Sequence, residues 1–378
     1  MTLTISTYRA SGPINIPLVA VQDGDGPWTV LTGTMGVYTA TLHDDRYGVV
    51  TSCVTSASSG VDLWYGAVSD ATTLYVEDCA DPGPAVANIS GTVTGAAAGD
   101  PMSVLDGYFG ETDLAAGMTM YTLSTYAVAQ RLIAEELVDT RPVKLATVDG
   151  IVTDGATIDF DLTAGFAPAT QALTGNWIEG AELSYRDADG VSVIDIATTP
   201  FDTFRAFPAD KLGSGLDRLV ITGPNGSGVI RYFKTPADQQ VTLPTSPLLM
   251  QQPIASATPY PNVGFTVPVQ ADTTYDLYFS TTNTTNITRG FSIEMTPAWV
   301  AKKYPGGAPI AYTAPDLHAL AGWSTDYQPE AGIALDWTIS PTKYTNIDWF
   351  PSVPPGTLYA HDGGELAFTN LVGQLPAP

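Results

Sequence analysis

Thr274-Tyr275-Asp276-Leu277-Tyr278-Phe279 alternates its side chains with the two-residue period of a strand that has one face in a core. The same period recurs in Val37-Tyr38-Thr39-Ala40-Thr41-Leu42, Gln130-Arg131-Leu132-Ile133-Ala134-Glu135 and Thr157-Ile158-Asp159-Phe160-Asp161-Leu162. Helical patterns are scarce. Residues 126–138 contain good helix formers, but the turn at Asp139-Thr140-Arg141-Pro142 and the β-like flanks make them strands. Asp316 to Leu320, after Pro315, is expected to form a single helical turn. Asp149-Gly150, Asp154-Gly155, Asp189-Gly190 and Asn225-Gly226 are the turn pairs of hairpins. Thr is frequent throughout, and 36 Gly and 29 Pro complete a composition of short strands joined by turns. The fold class is all-β: three or four tandem antiparallel β-sandwich domains, Ig-like or transthyretin-like.

The chain has 378 residues, with 15 Lys and Arg against 39 Asp and Glu and a net charge of −24. Such a field repels phosphate backbones and anionic lipid, which excludes nucleic-acid binding and electrostatic membrane docking. With 44% hydrophobic residues the chain is not a disordered acidic segment. No apolar run approaches the roughly 18 residues of a spanning helix, so no membrane span is expected. Met1-Thr2-Leu3-Thr4-Ile5 carries no secretion signal, although a mature form would have lost one. The two cysteines, Cys53 and Cys79, each close a strand-like run, and a disulfide between them implies an oxidising compartment. Two separate buried thiols are the alternative. The expected location is extracellular or at the cell surface.

Clusters of Pro, Gly and small polar residues divide the chain into four units: 1–80, containing the disulfide; 85–165; 166–250; and an aromatic-rich unit, 262–378. No fixed-period repeat of the solenoid or propeller kind is present. The second unit runs through Ile89-Ser90-Gly91-Thr92-Val93-Thr94-Gly95, Met120-Tyr121-Thr122-Leu123, Gln130 to Ala134, and Ile158-Asp159-Phe160-Asp161-Leu162 before Gly165. In that order it resembles the carboxypeptidase regulatory-like, or transthyretin-like, β-sandwich over about residues 86–165. Extra glycines between Pro101 and Gly117 depart from the pattern. The resemblance implies an accessory domain with no catalytic residues. Val21 to Trp28 in the first unit, and Thr313 to Trp323 in the last, look like elements of uncharacterised modular surface or secreted bacterial proteins.

No residues stand out as catalytic. The three histidines, His43, His318 and His361, are far apart, and neither a G-x-S-x-G elbow nor H-E-x-x-H occurs. His43 before Asp44-Asp45 reads as a solvated strand end. Asp23 with Asp25, and Asp187 with Asp189, place paired carboxylates in Gly turns. They are calcium candidates that lack a complete oxygen loop, and calcium is the one cofactor left open. Trp323 and Trp349 sit amid Gly, Asp and Pro and are the expected exposed pair for stacking a glycan, whereas the other aromatics of the last unit read as core. Leu3, Ile5, Ile14 and Ile16 near one end, and Leu366, Phe368 and Leu371 near the other, lie in strands that either pair within their own domain or add to a neighbour's sheet edge. The expected function is that of a non-enzymatic structural or adhesive protein, with self-assembly through the terminal strands as one form of it. Its partners are then further copies, other surface proteins or glycans. The alternatives are a glycan-binding module that uses the C-terminal aromatics and a carboxylate-based hydrolase.

Overall fold

A computed structural model describes the chain except residues 10, 56, 80–82, 84, 108–109, 188–190, 198–200, 246–250, 257–261 and 378. Three of the four alternating stretches are strands, and their apolar positions build the cores; in residues 157–162 only Phe160–Asp161 is strand, with an isolated bridge at Thr157 and a 3-10 turn starting at Leu162. Along Thr273–Thr282, for example, Tyr275, Leu277 and Phe279 are buried in one cluster while Tyr278 is exposed on the opposite face. Residues 126–138 are strand, divided between Met120–Tyr126 and Ala129–Val138. Asp316 to Leu320 is a turn closed by a Leu320 N–H to Leu317 C=O bond, not a helix. The α-helix among the described residues is Pro297–Lys303; Thr296 caps it by accepting from the Trp299 N–H, and Pro297 opens it. Asp149-Gly150 lies inside the strand Arg141–Ile151, and the hairpin turn is made by Asp139 and Thr140, both at positive φ. Asn225-Gly226 does form the turn between Leu216–Thr222 and Gly228–Phe233. Asp189-Gly190 lies outside the described residues.

One strand order occurs three times. Thr2–Arg9, Val86–Thr94 and Ala169–Gly175 each lie between an antiparallel and a parallel partner in a small sheet. The antiparallel partners are Val37–Thr41, Met120–Tyr126 and Thr203–Ala206. The parallel partners are Thr73–Glu77, Phe160–Asp161 and Gln239–Val241, the last strand of each set. A four-stranded run faces each small sheet; in the second unit it is Glu111–Leu114, Met102–Leu105, Ala129–Val138 and Arg141–Ile151. The last unit departs from this order and takes in a strand that precedes its expected bound at 262: Asn262–Val267 lies between Gln251–Ser256 and Ile310–Thr313 and is antiparallel to both.

The units are fused, not merely strung together. Gly228–Phe233 pairs with Ala360–Phe368, and Thr288–Met295 pairs in parallel with Ser58–Ala67, so a 13-stranded sheet runs through the third, last and first units. At the second junction Gly60 faces Gly290, and a Cβ on Gly60 would stand 2.2 Å from the Gly290 carbonyl oxygen. Only glycine allows the two backbones to come this close. One buried cluster joins Leu18, Ala20, Val50, Val61, Leu63 and Tyr65 of the first unit to Phe279, Phe291, Trp299 and Tyr312 of the last. Lys302 pairs with Asp45 across this joint, and Lys303 pairs with Asp25 at 2.6 Å. The second and third units meet through Arg131, which is 8% exposed. It binds Asp149 at 2.6 and 2.9 Å, donates to the Lys211 carbonyl at 2.8 Å and lies over the Tyr185 ring.

Candidate functional site

The first unit holds a Cys53–Cys79 disulfide with a Cα separation of 5.5 Å. It ties the end of Arg46–Val54 to the segment after Thr73–Glu77, and so links that unit's two sheets.

The oxygens of the paired-aspartate turn at Asp23 and Asp25 are engaged by donors of the protein itself. Asp23 accepts the backbone N–H groups of His43 and Asp44, each at 2.9 Å, and meets His43 Nδ1 at 3.0 Å. Asp25 is paired with both Arg46 and Lys303, and its carboxyl is held below the usual range, first by the hydrogen bond from Arg46. Two neighbouring cations repel a third. Asp187 is described, whereas Asp189 lies outside the described residues. Among the described residues no group of three or more His, Cys, Asp or Glu could hold a metal ion.

The expected exposed tryptophans are both partly buried. Trp323 packs against the large core between the rings of His318 and Tyr327. Trp349 packs against the first unit's core, and its indole N–H donates to Glu294. The two lie on opposite faces of the long sheet, so they cannot form one platform. The exposed tryptophan is Trp177, at 79% and at positive φ.

The N-terminal strand is not available for donation. Leu3 and Ile5 are fully buried and Ile16 is 7% exposed, while Ile14 packs against the same cluster, and Thr2–Arg9 is paired along both edges. Leu366 and Phe368 lie in a strand that is likewise paired on both sides. Leu371 begins Leu371–Leu375, which among the described residues pairs along one edge only, with residues 335–339.

A cavity of about 350 Å³ opens at the joint between the first and last units. Asp70 of the first unit lines it together with Asp272, Thr274, Tyr344, Asp348 and Trp349 of the last. Strand alternation explains the chemistry beside it. Phe291, Ile293 and Met295 face the core, so Glu294 faces the other way, as does Asp276 between Tyr275 and Leu277. Register makes Asp276 and Glu294 direct cross-strand partners, about 4.5–5.5 Å apart at Cβ for such a pair. Burial and then the Asp276 charge push the Glu294 carboxyl up, against the hydrogen bond from Trp349. Burial also raises Asp276, against a hydrogen bond with Thr342. On the next strand Asp62 is pushed up to about 6 by burial, against a hydrogen bond with Ser292. Two carboxyls crowded together retain a proton that a free pair would have lost. Tyr344 is raised by burial and by both of these acids. Only Trp349 of this group stands out in the sequence as a candidate, because the acids become neighbours through pairing register alone.

Comparisons with family models and with curated proteins give no match. Among solved structures the chain is similar to the Ca2+-stabilized adhesin that helps an Antarctic bacterium reach out and bind ice. That similarity has 10% identity, covers 100% of this chain and 98% of the other, and has a TM-score of 0.17. The FN1–FN3 domains of chicken CNTN1 align over 74% of this chain and 90% of theirs, at 6% identity and a TM-score of 0.15. Neither likeness bears on what the chain does; the all-β architecture is read from its own strands.

Proposed function

We propose that the chain is a non-enzymatic extracellular protein of structural or adhesive type, whose units act together as one rigid body. The observation that carries this reading is the parallel pairing of Thr288–Met295 with Ser58–Ala67, with one core running across it. A surface protein under load needs domains that do not swing apart, and a continuous ladder resists that motion better than linkers do. The disulfide supports an oxidising compartment. The strand order that the second unit shares with the first and third, its first strand parallel to its last, is compatible with a β-sandwich accessory domain. Strand addition, if the protein self-assembles, is confined to edges such as that of Leu371–Leu375, where Val372 is 68% exposed.

The test is fractionation of the producing cells with thiol labelling, followed by deletion of the gene. The expected result is protein in the surface or medium fraction with Cys53 and Cys79 oxidised, and deleted cells that attach or aggregate less. Reduced protein in the cytosol, or unchanged attachment, overturns the proposal.

A further inference from the structure

The cavity at the joint has walls of two kinds. Asp70, Asp272 and Asp348 bring carboxylates to it, and Trp349 and Tyr344 bring aromatic rings. Among the described residues no Lys or Arg lines it. Asp70 accepts the Ala67 N–H and the Thr296 hydroxyl, and Asp348 meets His361 Nε2 at 3.0 Å.

The carboxylates surround a space and do not converge on a point, and no described cluster of three could hold a metal ion. An inorganic cation needs convergent oxygens at short range, so a compact ion does not fit. The volume of about 350 Å³ falls at the small end of the roughly 300–1,000 Å³ typical of small-molecule sites. Ring faces attract a cation that is too large or too weakly hydrated to be chelated. Carboxylates and aromatic rings in the same walls together select a positively charged organic group.

We propose that this cavity binds a small organic cation, its ammonium group seated against the rings of Trp349 and Tyr344 and neutralised by Asp272 and Asp348. Asp70 of the first unit lines the same cavity, so the bound cation sits at the joint between the two units. The site does not depend on the adhesive reading.

The test is isothermal titration calorimetry on the whole chain at fixed ionic strength, with tetramethylammonium, n-butylammonium and putrescine as probes. Magnesium chloride and glucose are the comparators. One saturable site for at least one amine is expected. Asp272→Asn combined with Asp348→Asn, and separately Trp349→Phe, should weaken it tenfold or more. Asp210→Asn, which removes an exposed charge beside Lys211 outside this cavity, should leave it unchanged. Circular dichroism confirms that each variant is folded, and Asp272→Asn alone, at an exposed position, gives a second series if the double variant is not. Absence of saturable amine binding overturns the proposal. So does equal weakening by Asp210→Asn, which would mean a diffuse charge effect, or saturable glucose binding in place of the amines, which would mean a neutral hydroxyl-rich ligand.

Discussion

Replacing Asp217 by asparagine is expected to stabilise the protein at neutral pH while leaving it unchanged in acid. Asp217 is fully buried in the third unit; one carboxyl oxygen accepts the Phe207 N–H at 3.2 Å, and the other has no hydrogen-bond partner among the described residues. Burial pushes the carboxyl from 3.8 up to about 8, against that single hydrogen bond. A group whose folded value is raised gives its full stability below the unfolded value and loses it as pH rises through the folded one. For Asp217 that window runs from 3.8 to about 8. Each pH unit inside it costs about 1.4 kcal/mol, so the wild type gives up about 4 kcal/mol by pH 7. Asparagine keeps the acceptor for Phe207 and cannot ionise. Urea denaturation of both proteins at pH 4, 5.5, 7 and 8.5 measures the difference directly. The variant's advantage should be near zero at pH 4, grow with pH and level off above about pH 8. A gap that stays constant across the series refutes the argument, because a packing change carries no pH dependence.

Three other substitutions probe the architecture. Gly60→Ala sets a Cβ 2.2 Å from the Gly290 carbonyl oxygen, so the joint should lose about 1–3 kcal/mol, and X-ray scattering should show a larger radius of gyration. Cys79→Ser removes the bridge across 26 residues and should cost about 3 kcal/mol in urea unfolding, with reduction of the wild type giving the same loss. Because the Glu294 carboxyl is raised and accepts from the Trp349 indole, wild-type tryptophan emission should change on its ionisation, above the ordinary carboxylate range. Glu294→Gln should abolish that titration and relieve the stability the wild type loses as pH rises through it. Identical emission titrations would refute the contact.

What could be read from the sequence was whatever local alternation encodes. Thr274 to Phe279 shows its buried face directly, and the strand content of residues 126–138 follows from its flanks. The helix Pro297–Lys303 had a signature in Thr296-Pro297, a cap followed by a proline at the first position, but it spans only seven residues among strands. Asp316 to Leu320 has the same Pro-led appearance and stops at a turn. The cavity was hidden for another reason. Asp276 and Glu294 each look like an outward-facing acid on its own strand, and only the antiparallel register makes them partners. Trp349 likewise looks exposed among its neighbours Asp348 and Pro351 until the first unit's core arrives beside it. Chain segments distant in sequence supply these surroundings, and one-dimensional pattern carries no information about them.

The pairing of Thr288–Met295 with Ser58–Ala67 also dictates an order of events during synthesis. The first unit can close its inner core as soon as Thr73–Glu77 emerges, because Leu3, Tyr47, Val49 and Leu74 all lie within it. Its outer face, with Ala20, Val50, Leu63 and Tyr65, stays uncovered until the last unit has been made. For that interval a strand edge and an apolar surface are open together, the combination that invites the wrong partner. The nascent chain is therefore most vulnerable while its middle two units are being translated, and a holding chaperone at that stage would have the first unit's outer face as its target.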